Sequence, residues 1–311
     1  MKFWIGITDN EWYKYLSTIQ PDEINFWQPG AGGFKALEPG EPFLFKLHYP
    51  DHFIVGGGFF VRYTQLPLSL MWDVFGNKNG AEDYHTLYKL IMKRKSSSGA
   101  DDHNPSVGCI ILNSPFFFPR ELWIEPPVDL KKNIVRGKTY DTQERIGSEV
   151  WQKVERHLQM MNYELITTGE VPVAAEGARY GDYYLQKARL GQGAFRVLVT
   201  DAYQRRCSIT GERTLPALDA AHIKPFSESG PNYTRNGLLI RSDIHKLFDK
   251  GYVTITPEYR IEVSRRIKEE YENGREYYAY HGKPLNLIPK NVSEQPDRKY
   301  LIWHNENKYI E

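Results

Sequence analysis

The run CSITGERTLPALDAAHIKPFSESGPNYTRNGLLIRSDIHKLFDKG, from Cys207 to Gly251, limits the folds open to this chain more than any other stretch. Within it, LPALDAAHI, 215–223, reads as a short strand closed by Pro225, and GPNYTRN, 230–236, as a polar loop of turn formers. Ser242 stands where a hydroxyl can accept an orphan amide and cap a helix beginning near Asp243. On that helix His245 and Asp249 are four residues apart and share one face, and Gly251 is placed to stop it. The expected product is a strand, a loop and a short helix whose inner surfaces converge on one small volume.

The residue types gathered there suit metal-assisted cleavage of a phosphodiester. Such chemistry needs a base to turn water into hydroxide, groups that hold that base, and a cation beside the scissile phosphate. His222, Asn236 and the pair His245 and Asp249 supply these parts in order. A strand histidine alone, or a helix-face pair alone, is usually an ordinary structural feature; the weight rests on their combination.

These residues resemble the HNH endonucleases with a ββα-metal finger, in the branch whose signature is similar to AAHI-P followed by NGLLL-SDIH-LFD-G, seen here as AAHIKP and NGLLIRSDIHKLFDKG. The stretches RLGQGAFRVLVTDAYQRRCSITG, 189–211, and LIWHNE, 301–306, also resemble that branch. The resemblance implies that His222 is the general base, that Asn236 orients or tethers the base-bearing loop, and that His245 and Asp249 hold a divalent metal ion. Mg²⁺ or Mn²⁺ is expected first, with Zn²⁺, Co²⁺ or Ni²⁺ also compatible with imidazole and carboxylate. One position departs from the family. Many such enzymes place a metal ligand just before the base, where this chain has Ala221, so Asp219, Asp243 or water is left to complete the site.

Composition narrows the partners. Forty basic side chains against 39 acidic ones give a net charge of +1, so affinity for double-stranded DNA must come from local patches. Arg205, Arg206, Lys224 and Arg241 flank the expected phosphate site and are the candidate contacts. The two cysteines, Cys109 and Cys207, give no disulfide framework, and Cys207 sits in CSIT where a zinc-stabilised relative would carry CxxC. The N-terminus lacks a secretory pattern and no apolar run approaches the ~18 residues of a membrane span, so a cytoplasmic protein without a membrane partner is expected.

The N-terminal half has another texture. Short aromatic runs such as FWIGIT, PFLFKL and FIVGGGFFV alternate with Pro, Gly and polar turns, which predicts strands, with helices over Glu11 to Ile19 and Asp83 to Lys95. The expected fold class is α+β, with an N-terminal curved sheet or β-barrel carrying helices and a C-terminal ββα-metal domain. In SEVWQKVERHLQMM, 148–161, Val150, Trp151, Val154 and Leu158 recur with helical period. The order INFWQPGAGGFKALEPGEPFLFKLHYPDHFIVGGGFFV, 24–61, resembles PUA-like domains of the EVE, ASCH and SRA kind, which implies the barrel.

That resemblance implies a pocket for a flipped, modified base, most simply a modified cytosine, which needs aromatic faces and polar groups for the base edge. Trp27, Trp72, Phe26, Asp73 and Tyr63 are the candidates, with Phe75, Gln28 and Asn77 in reserve. The domain reading is 1–155 for the base-reading domain, 156–188 for a connector helix and linker, and 189–311 for the nuclease. Together the halves resemble a modification-dependent restriction endonuclease, working as a homodimer because one finger cuts one strand. Two other readings remain: a defence-system nuclease whose N-terminal domain binds RNA or protein, and a DNA-binding protein without catalysis.

Overall fold

The computed structural model describes residues 1–30, 32–95, 102–131, 134–167 and 190–311, without the side chains of 162–167. The chain divides into two compact units, residues 1–189 and 190–311, both mixed α+β.

In the first unit, β1 (Lys2–Thr8), β2 (Glu23–Gln28), β3 (Pro42–Leu47), β4 (Ile54–Pro67), β5 (Ser106–Phe117) and β6 (Gly137–Asp141) form one sheet in the order β2-β5-β4-β3-β1-β6. Neighbours are antiparallel except β1 and β3, which run parallel. The helices are α1 (Asn10–Ile19), α2 (Leu68–Phe75), α3 (Tyr84–Arg94) and α4 (Arg145–Thr167). Asp9 caps α1 by accepting from the amides of Glu11 and Trp12, and Asp83 caps α3 through Thr86.

The expected barrel is not found: among the described residues the sheet is open, with β2 and β6 at its edges. The side chains give the reason. Along β3 every position is buried. Leu44 points into a core with Phe3, Ile5 and Ile54, and Phe43 and Phe45 point into another with Trp12, Leu16 and Val55. A sheet covered on both faces requires such continuously apolar strands, whereas one exposed face would alternate. Helix α1 covers one face, and α4 covers the other with Val150, Trp151, Val154 and Leu158. The connector expected over 156–188 therefore begins inside a helix packed on this sheet; beyond Thr167 it lies outside the described residues.

In the second unit, α5 (Gln192–Ala202) packs under a hairpin of β7 (Leu218–His222) and β8 (Gly237–Arg241), followed by α6 (Ser242–Asp249). A second hairpin, β9 (Val253–Ile255) with β10 (Ile261–Val263), and the helices α7 (Arg266–Tyr271), α8 (Arg275–Tyr278) and α9 (Arg298–Asn307) complete it. Pro216 lies in a 3₁₀ turn, Leu215–Ala217, so the strand starts later than the sequence suggested.

Helix α6 buries Ile244 and Phe248 and turns His245 and Asp249 outward. Ser242 does not cap it: the hydroxyl donates to the Ala217 carbonyl at 3.3 Å. At the other end Gly251 has φ +79°, and its amide closes on the Phe248 carbonyl at 3.0 Å. A Cβ there would meet the Lys308 carbonyl oxygen, so only glycine fits this helix stop. No helix among the described residues is long and apolar enough to cross a membrane.

Candidate functional site

His222 ends β7, paired with Gly237 of β8. A Cβ at Gly237 would overlap Phe195 and Val199, so glycine here lets α5 come close beneath the hairpin. The Phe195 ring lies flat under the His222 imidazole, with centroids 3.9 Å apart and planes 11° from parallel. On the ring edge, Nε2 is 2.8 Å from Asn232 Oδ1. The other end of that carboxamide, Nδ2, donates to the Leu190 carbonyl at 2.5 Å. A carbonyl can only accept, so the amide presents oxygen to His222, and Nε2 must carry the proton. In the neutral ring Nδ1 is then the free lone pair.

Burial lowers the proton affinity of His222 below that of a free histidine. The hydrogen bond to Asn232 opposes this, His245 reinforces it, and Asp249 opposes it. The neutral ring is thus the form held at neutral pH. The same influences place His222 within electrostatic reach of both outward residues of α6.

His245 lies between two carboxylates. Its Nδ1 is 3.2 Å from Asp219 Oδ2 and its Nε2 is 3.4 Å from Asp249 Oδ2. Among the described residues no group of three or more His, Cys, Asp or Glu side chains is gathered for a metal ion. The donor set still fits one in part. Two ligands about 2.1 Å from an ion at a tetrahedral angle lie roughly 3.4 Å apart, the separation His245 Nε2 and Asp249 show. Asp219 meets the opposite nitrogen, where a carboxylate orients a ligating imidazole instead of touching the ion.

The other candidates divide. Asn236 is fully buried and does not touch the base. Its Oδ1 accepts from the Lys224 amide at 2.9 Å, and its Nδ2 donates to the carbonyls of Lys224 and Pro231 at 2.8 and 3.0 Å. It ties both ends of the loop that carries Asn232. Asp243 is not free to ligate: Arg241 grips it at 3.0 and 2.6 Å, and the Tyr277 hydroxyl donates to it. Arg241 reaches Glu276 at 2.7 Å as well, so the guanidinium expected at phosphate is already neutralised by two carboxylates. Arg205 pairs with Asp201 at 3.7 Å, and Arg206 is half-buried beside it. Lys224 lies over the Trp303 ring at 5.3 Å, two residues beyond His222. Sequence reasoning missed Asn232. Its only signal was a second carboxamide in GPNYTRN, which spacing does not rank against the first.

In the first unit a cavity of about 310 Å³ is lined by Phe26, Trp27, Gln28, Asp9, Arg94 and Arg136, among others. The Trp27 indole is set by its Nε1, which donates to the Asn79 carbonyl at 2.9 Å; the Asn79 side chain is itself bonded to Asn25. Three expected pocket residues are not in its lining. Trp72 packs edge-on against Tyr84, Asp73 is exposed on α2, and the Tyr63 hydroxyl donates to the Gly32 carbonyl at 3.3 Å.

The HNH endonuclease family model matches residues 207–256, so the second unit carries an HNH endonuclease domain. No curated protein matches the chain. Among solved structures, the chain is similar to a ZmASCH mutant protein from Zymomonas mobilis, with TM-score 0.32 and 7% identity over 49% of this chain and 95% of that one. It is also similar to the modification-dependent TagI restriction endonuclease, with TM-score 0.28 and 13% identity over 92% of this chain and 75% of that one.

Proposed function

We propose that this chain is a metal-dependent DNA endonuclease with His222 as general base, and that its first unit selects DNA by taking a modified base into the cavity beside Trp27. The observation that carries the nuclease reading is the fixed tautomer of His222. Asn232 holds the proton on Nε2, so Nδ1 is presented as a base.

His222 Nδ1 takes a proton from water, and the resulting hydroxide oxygen attacks phosphorus in line with the leaving oxygen. The P–O bond breaks, and the leaving oxygen takes its proton from solvent. Phe195 and Asn232 keep the imidazole in one plane and one tautomer through this step. His245 and Asp249 would hold a divalent ion, which when bound supplies positive charge to the phosphorane and leaving oxygen. Asp219 would orient His245 from behind. Since one finger cuts one strand, a double-strand break needs two copies, most simply a homodimer.

The base-reading part is supported by a cavity whose size is that of ligand sites, with Phe26 and a hydrogen-bonded Trp27 in its wall. Nicking of supercoiled plasmid with Mg²⁺ or Mn²⁺, abolished by chelator and by His222→Ala, is the expected result for the nuclease. Cleavage that survives His222→Ala in a pure preparation refutes the assignment of the base. Equal digestion of modified and plain DNA removes the reader and favours a first unit that binds RNA or protein.

A further inference from the structure

The charges in the cavity of the first unit do not balance. Asp9 is the one acid in its lining, facing Arg94 and Arg136. Both carboxylate oxygens of Asp9 are engaged: Oδ1 accepts the amides of Glu11 and Trp12 at the start of α1, and Oδ2 pairs with Arg94. Arg94 also lies over the Trp27 ring, 5.4 Å from its centroid. Among the described residues Arg136 has no such partner, and its side chain is exposed. Its backbone is pinned where its carbonyl accepts from the Ile7 amide at 3.0 Å, and among the described residues no carboxylate meets its guanidinium. A Cβ on Gly32 would come within 3.1 Å of Arg136 Nη1, so this arm lies across the glycine turn at the cavity's rim.

An exposed guanidinium with no ion-pair partner among the described residues, standing beside aromatic walls, suits a planar ring that brings its own oxygen acceptors. A plain methyl mark would satisfy the walls and leave Arg136 to solvent. We infer that the mark read in this cavity is an oxygen-rich, anionic substituent on a flipped base, with Trp27 as platform and Arg136 as the counter-charge. The inference rests on the base-reading role proposed above and specifies its ligand.

The test uses the full chain in chelator and fluorescence anisotropy on matched duplexes carrying one cytosine that is plain, 5-methyl, 5-hydroxymethyl or 5-carboxyl. The 5-carboxyl duplex is expected to bind roughly 10- to 100-fold more tightly than the 5-methyl duplex. Arg136→Ala should erase that difference, and Arg136→Lys should restore part of it. A 5-methyl duplex that binds as well as the 5-carboxyl one overturns the inference but leaves base reading standing. A uniform loss on all four duplexes with Arg136→Ala would assign the residue to backbone phosphate and overturn it too. If no modified duplex is preferred over the plain one, base reading itself falls.

Discussion

Replacing Asn236 with alanine separates a residue that holds a loop from one that takes part in chemistry. Its carboxamide is fully buried and makes three hydrogen bonds, all to main-chain groups of the loop between β7 and β8. At about 1 kcal/mol of net stability each, their loss amounts to about 3 kcal/mol. The stranded amide and carbonyl of Lys224 and the carbonyl of Pro231 raise that cost if water does not reach them. For a domain of this size, the loss corresponds to a fall of roughly 10 °C in the melting temperature of the second unit. Differential scanning calorimetry of the full chain reads this directly. Cleavage should fall with it, because the same loop carries Asn232 and hence the tautomer of His222. An Asn236→Ala protein that melts within about 2 °C of the parent yet no longer cuts would refute this account and place the carboxamide on the reacting groups.

Asn232→Leu should bind Mn²⁺ as the parent does and lower kcat roughly 100-fold in single-turnover cleavage, because the ring then loses its fixed tautomer; an unchanged kcat excludes the positioning role. In calorimetric titration with Mn²⁺, Asp249→Ala should abolish binding and Asp219→Asn should weaken it roughly 10- to 100-fold, whereas equal abolition by both would put Asp219 on the ion. His304, 2% exposed, is pushed down to about 4 by burial, with the Phe248 carbonyl opposing and Lys308 adding to the shift. Its folded value lies below the free value of 6.5, so the neutral ring's contribution is complete above pH 6.5 and is lost as pH falls toward 4, by about 3 kcal/mol in all. The melting temperature of the parent should therefore fall more steeply over that window than that of His304→Gln, and parallel curves would refute it. Trp27→Ala should weaken binding of modified duplex about 10-fold or more while Trp72→Ala leaves it unchanged; the opposite order would place the pocket on α2.

Much of the second unit was legible because its signals are local. Four-residue spacing puts His245 and Asp249 on one face of α6 whatever surrounds the helix, and the glycine stop at 251 follows from one backbone angle. In the first unit, α1 and α3 lie over Asn10–Ile19 and Tyr84–Arg94, within a residue of the expected Glu11 to Ile19 and Asp83 to Lys95. What was not legible depends on which distant group arrives beside which. Arg241 looks like a phosphate contact until Glu276, far along the chain, comes to neutralise it. Trp27 and Trp72 are equivalent in sequence texture, and only the Asn79 carbonyl and the Tyr84 ring distinguish cavity wall from packing. The open sheet was hidden for a related reason. A strand such as PFLFKL reports that both its faces are apolar, but not whether the second face meets a helix or the inside of a barrel.

The two asparagines of GPNYTRN show how far such reasoning reaches. A histidine base on a strand end requires an acceptor at one ring nitrogen, and a long loop returning to the next strand requires a tether. Two carboxamides in that loop match two tasks in number. Their assignment follows from burial: Asn236 adjoins the buried start of β8, so its polar atoms must bond to the loop's own backbone. Asn232 lies nearer the middle of the loop, where it can reach both the His222 ring and the Leu190 carbonyl. The Leu190 contact sets the amide's direction and hence which ring nitrogen is basic. A residue at the threshold of α5, outside the strand-loop-helix segment altogether, thus takes part in preparing the base.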